Sequence, residues 1–117
     1  MTPEGKVKAF IDKKMKAWFP DALKYSPPGG RFGRAGMPDR LWFVRGGDTT
    51  CIVVAIEAKA EGGRLTQLQT LTLAQFANRG AVSVVVTGQD EERMEMVRNE
   101  ILRRICLAHA QPGASTV

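Results

Sequence analysis

The feature that most constrains this chain is a short apolar run closed by two charges, Cys51-Ile52-Val53-Val54-Ala55-Ile56-Glu57-Ala58-Lys59. A run this short, rich in valine and isoleucine, is too brief for an ordinary helix and suits a strand covered on both faces. Side chains on a strand alternate, so Glu57 and Lys59 leave one face while Ala58 points to the other. An acid and an amine at the end of a buried strand can act on one substrate.

The residues before this strand supply a third group. Pro38-Asp39 opens another apolar segment, residues 41–44, and Gly46-Gly47-Asp48 reads as the turn between the two strands. Neighbouring strands joined by a short loop form an antiparallel hairpin, which sets the start of the first beside the end of the second. Asp39 is therefore expected next to Glu57. Two carboxylates without a histidine or cysteine cluster make a hard oxygen site of the kind that holds Mg²⁺ or Mn²⁺ together with water and phosphate. The backbone carbonyl of Ala58 is a further candidate donor. A cation there would acidify water and offset phosphoryl charge, with Lys59 placed to orient the water or stabilise the developing charge. Glu-x-Lys by itself also arises as an idle cross-face ion pair of little energetic worth.

Residues 3–19 carry Val7, Phe10, Ile11, Met15 and Trp18 at helical spacing, with Thr2 as N-cap, Pro3 at the first helical position and Pro20 as the stop. The lysines of this segment, Lys8 among them, read as a solvated face. Glu4 falls on the core-facing side, where it either joins a site or simply favours the positive end of the helix dipole. A short strand is expected over residues 22–26. Residues 27–37, with two prolines, four glycines and two arginines, read as a loop whose arginines can meet phosphates. No nucleotide-binding glycine pattern is present.

Beyond the central strand, residues 60–64 form a turn and residues 66–78 a helix ended by Gly80. Thr66-x-x-Gln69 matches a capping box, yet Gln69 also shares a face with Leu73 and Phe76, toward the sheet. Residues 81–87 read as a second buried strand, parallel to the first through the helical crossover. Asp90 caps a last helix whose stripe is Met94, Val97, Ile101 and Ile105. Residues 1–107 make one domain, and residues 108–117, which include His109, a disordered tail.

Lysine and arginine outnumber aspartate and glutamate 17 to 12, a net charge of +5 that favours a polyanionic partner, nucleic acid before membrane. Cys51 and Cys106 show no metal spacing and are expected as small core residues, consistent with a reducing compartment. No apolar run approaches the ~18 residues of a membrane span, and no signal-peptide core follows the N-terminus, so a cytoplasmic location is expected.

Pro38-Asp39 followed by Glu57-Ala58-Lys59 resembles the PD-(D/E)xK nuclease signature. Glu4, Arg34-Ala35-Gly36-Met37 before Pro38, Gly63-Arg64-Leu65-Thr66 with Gln69, and Gly80 narrow the resemblance to the VRR-NUC, or virus-type replication and repair nuclease, family over about residues 2 to 100. The resemblance implies a restriction-endonuclease-like α/β fold, a central mixed sheet flanked by helices in the order α-β-β-β-α-β-α. It implies a metal-dependent DNA endonuclease, with Asp39 and Glu57 as metal ligands, Lys59 in water activation, and Glu4 and Gln69 completing the site. Arg31, Arg34 and Arg64 are the expected nucleic-acid contacts. Small stand-alone members look like viral or phage proteins that act on branched DNA such as Holliday junctions, in the host cytoplasm and as homodimers. The rival reading is a non-catalytic basic nucleic-acid-binding module, against which stands the repulsion of phosphate by two acids with no cation between them.

Overall fold

The computed structural model describes residues 1–28 and 35–110. The elements run α1 (Pro3–Trp18), β1 (Leu23–Tyr25), β2 (Arg40–Arg45), β3 (Cys51–Lys59), α2 (Gln67–Asn78), β4 (Val82–Thr87) and α3 (Glu91–His109). This is the expected α/β order. The strands form one mixed sheet, β1-β2-β3-β4, in which β1/β2 and β2/β3 are antiparallel and β3/β4 parallel. The hairpin register sets Arg40 opposite Ile56, so Asp39 arrives beside Glu57 and Ala58.

Strand alternation divides the core. Trp42, Val44, Ile52, Val54, Ile56, Ala58, Val82 and Val86 pack on one side against Val7, Ile11 and Met15 of α1 and Met94, Val97 and Ile101 of α3. Leu41 and Ala55, with the partly buried Phe43 and Val85, pack on the other side with Leu73 and Phe76 of α2. Burying these side chains stabilises the fold by about 1.5–3 kcal/mol for each large aliphatic one. Ile11, Met15, Val54, Ile56, Met94 and Ile101 lose all of their exposure.

The helix ends follow the sequence signals. Thr2 Oγ1 accepts from the Gly5 N–H at 3.0 Å and Pro3 takes the first position of α1. Asp90 Oδ1 accepts from the Arg93 N–H at 3.0 Å at the start of α3. That helix runs through Ala108 and His109, which the sequence expectation assigned to the tail.

Two expectations need correcting. Cys51 and Cys106 are exposed, not core residues. Cys51 opens β3 at the hairpin end, outside the layer that the helices cover, and Cys106 sits one step off the stripe of Val97, Ile101 and Ile105, about 100° around the helix. The α1 lysines are not uniformly solvated. Lys14 pairs with Glu91 at 2.6 Å and lies over the rings of Phe10 and Trp18, and Lys8 reaches Asp39. Arg31 and Arg34 lie outside the described residues. Among the described residues, no helix is long and apolar enough to cross a membrane.

Gly36, just before Pro38-Asp39, has φ +83°, and a Cβ there would come within 2.6 Å of Leu68 Cγ on α2. Both the backbone region and the close approach call for glycine. Gly36→Ala is expected to lower stability by about 1–3 kcal/mol, read as a shift of the urea midpoint with unchanged slope.

Candidate active site

Asp39 and Glu57 hold each other through the backbone. The Asp39 N–H donates to Glu57 Oε1 at 3.1 Å, and the Ala58 N–H donates to Asp39 Oδ2 at 2.8 Å. The β2/β3 register makes both bonds possible, because it brings the residue preceding β2 level with the last turns of the β3 pleat. Asp39 is steadied from the other direction by Arg40, whose guanidinium grips Asp12 of α1 at 2.8 and 3.1 Å and donates to the Asp39 carbonyl at 3.0 Å.

Gln69 has two roles at once. Its Oε1 accepts from the Thr66 N–H at 2.9 Å while Thr66 Oγ1 accepts from the Gln69 N–H at 3.0 Å, so the capping box is complete. That capping bond fixes the amide with its NH₂ toward the sheet, and Nε2 donates to Glu57 Oε2 at 2.9 Å. The two alternatives read from the sequence are one side chain seen from its two ends.

Lys59 leaves the same face as Glu57, with Nζ 3.7 Å from Glu57 Oε2 and 4.0 Å from Glu4 Oε1. The Lys59–Glu57 pair is not an exposed surface pair: the side chains keep only 14% and 3% of their exposure. Glu4, in the first turn of α1, forms the open rim at 41%. The structure therefore brings Glu4, Asp39, Glu57, Lys59 and Gln69 together, with Ala58 contributing its N–H from a fully buried position. Arg64 is exposed in the turn before α2.

Lys8 is the site neighbour that the sequence reading assigned to solvent. Its Nζ lies 3.4 Å from Asp39 Oδ1. The signal was present, since Lys8 follows Glu4 by four residues and so shares its helical face. Arg40, not singled out from the sequence, joins the site's support through Asp12 and the Asp39 carbonyl.

Burial and the neighbouring Asp39 charge push the Glu57 carboxyl up from 4.5 to about 7, against the opposing pull of Lys59 and the Asp39 N–H. A pair of acids this close, one of them reluctant to ionise, is an arrangement that a cation relieves. Among the described residues, no three His, Cys, Asp or Glu side chains converge as a metal cluster. The donor set is two carboxylates, which suits Mg²⁺ or Mn²⁺, ions that retain several waters and take the rest of their shell from phosphate. The residues present fit such an ion.

Two acids, an amine and a capping glutamine thus converge at the end of an interior strand of a mixed sheet. The chain matches the VRR-NUC domain over residues 6–90, well over half its length, and belongs to that family. Asp39, Glu57, Lys59, Gln69 and Lys8 fall inside the matched segment, and Glu4 precedes it. No curated protein and no solved structure shows significant similarity to the chain. Nuclease activity follows from the family.

The raised Glu57 pKa predicts a pH signature in metal-free protein. Between 4.5 and about 7 the folded state holds this proton more tightly than the unfolded chain, so the stability it contributes is full below 4.5 and is lost as pH rises through about 7. The melting temperature of the parent relative to Glu57→Gln is expected to fall across that window. A flat difference from pH 4.5 to 8 would contradict it.

Proposed function

We propose that the protein is a divalent-metal-dependent DNA endonuclease. The observation that carries this reading is the contact of Asp39 with Glu57 at the end of β3, beside Lys59 on the same face. Asp39 and Glu57 would hold Mg²⁺ or Mn²⁺, with the backbone carbonyl of Ala58 as a further donor. The bound cation supplies positive charge at the scissile phosphate and acidifies water.

The remaining work belongs to the chain itself. Hydrolysis forms a bond from a water oxygen to phosphorus and breaks one phosphorus–ester oxygen bond, the water proton passing to solvent and the leaving oxygen being protonated in turn. Lys59 holds its ammonium where negative charge grows on the phosphoryl oxygens, a position in which charge is worth more than in water because the group is largely desolvated. Gln69 and the Asp39 N–H hold both oxygens of Glu57, so its carboxylate needs little reorganisation when ionised. Glu4, across from Lys59, orients the ammonium from the rim.

The finer reading is branched DNA, such as a Holliday junction, cut by a homodimer of viral or phage origin acting in the host cytoplasm. A junction presents two strands and each chain one site, so two-fold pairing matches product symmetry. Arg31, Arg34 and the exposed Arg64 are the proposed phosphate contacts. A purely binding role is disfavoured because two adjacent acids, Asp39 and Glu57, would repel a phosphate backbone at this site with no cation between them.

Cleavage of linear, flap and four-way DNA with Mg²⁺, Mn²⁺ or EDTA tests the reading, with sizing of the protein beside it. Asp39→Asn and Glu57→Gln are expected to abolish cleavage while DNA binding persists, and a Glu57→Gln protein that cuts at the parental rate would overturn the assignment. Lys59→Met is expected to lower the rate on the order of a hundredfold or more. Its melting temperature should stay close to the parental value, because Glu57 can take up a proton once its amine is gone. Cleavage above about a third of the parental rate would remove Lys59 from the chemistry.

A further inference from the structure

We propose that Lys8 is a stand-in cation, holding Asp39 in the metal-free protein and passing to a DNA backbone phosphate when metal and substrate arrive. The inference rests on the nuclease reading above and concerns how its site is loaded.

The two oxygens of Asp39 are used differently. Oδ2 is committed to the Ala58 N–H at 2.8 Å, which leaves Oδ1 as the edge open to a cation, and Lys8 Nζ occupies that edge at 3.4 Å. The separation is wider than the ~2.7–2.9 Å of a tight charge-assisted hydrogen bond. Lys8 therefore neutralises Asp39 without being locked to it. Its placement is not accidental, because Val7 and Ile11 on either side are buried in the core and fix the α1 face from which Lys8 projects. Its side chain keeps 32% of its exposure, so it can swing outward.

Charge decides the rest. Glu4, Asp39 and Glu57 face Lys8 and Lys59 in three acid–amine contacts, three acids against two amines, so one negative charge is in surplus. A divalent ion at Asp39 Oδ1 would sit against the Lys8 ammonium, and a +2 and a +1 charge about 4 Å apart repel by about 2 kcal/mol even at the dielectric of water. Lys8 must then leave, and the phosphate backbone is the anion that draws it. Before DNA binds, Lys8 competes with the metal. Afterwards the phosphate offsets the repulsion, so metal and DNA strengthen each other's binding, a coupling that must be reciprocal.

Lys8→Met keeps most of the stem and removes the charge, and Lys8→Gln serves if the methionine variant fails to fold. Mn²⁺ affinity of DNA-free protein is measured by calorimetry, with Asp39→Asn as the control that loses the site. Removal of Lys8 charge is expected to tighten Mn²⁺ roughly thirtyfold, the equivalent of the repulsion above. With Ca²⁺ present, four-way DNA should bind more weakly, and the slope of log K against log salt should drop by about 0.9. A lysine that merely props Asp39 in place would do the opposite and loosen the metal on removal. Tightening of less than about twofold, any loosening, or an unchanged salt slope overturns the proposal. If the parent itself binds no Mn²⁺ that Asp39→Asn abolishes, the nuclease reading fails instead.

Discussion

Two acids are held in contact at the end of β3 by hydrogen bonds from the backbone, and much of the domain is arranged to make that possible. Each of Asp39 and Glu57 accepts an N–H belonging to the partner's segment, so neither side chain can move without breaking strand geometry. The cost is electrostatic. Burial and mutual repulsion hold Glu57 partly protonated near neutrality, in a domain whose net charge is otherwise positive. Lys59, Gln69 and Lys8 each moderate that cost from a different element, β3, α2 and α1.

The position of α1 follows from the same constraint. Its apolar stripe of Val7, Ile11 and Met15 packs on the α1/α3 side of the sheet, while its first turns reach past the strand ends to the site. Within those turns Glu4 meets Lys59 and Lys8 meets Asp39, opposite charges in both contacts. Asp12 extends the pattern by clamping Arg40, the residue that follows Asp39. A helix that is ordinary in hydrophobic pattern thus also serves as one wall of the site.

The capping box of α2 shows how local and distant demands coincide. A glutamine at the third helical position satisfies an otherwise unpaired backbone N–H, and the geometry of that bond leaves its NH₂ free to hold Glu57. Local preference and site geometry select the same residue, the consistency expected of a chain with one well-defined fold. Gly36 does similar double duty, since its positive φ turns the chain into Pro38-Asp39 where Leu68 leaves no room for a side chain.

Wherever backbone periodicity alone sets the outcome, the sequence was sufficient. The two-residue repeat of a strand put Glu57 and Lys59 on one face, the hairpin put Asp39 beside them, and the helical repeat drew the stripes of α1 and α3. Local geometry fixes these features, and short windows of sequence contain it. What only the tertiary structure decided were contacts between elements far apart in the chain. Lys8 looked solvated because its helix shows a polar face there, and only the docking of α1 against the strand ends turned that face toward Asp39. Cys51 looked internal because its type and neighbours are apolar, but it is exposed at the hairpin end of β3, whereas Cys106 is exposed for a local reason, its place one step off the α3 stripe. How far one element slides along another is set by side-chain packing summed over the whole core, which no single window of sequence records.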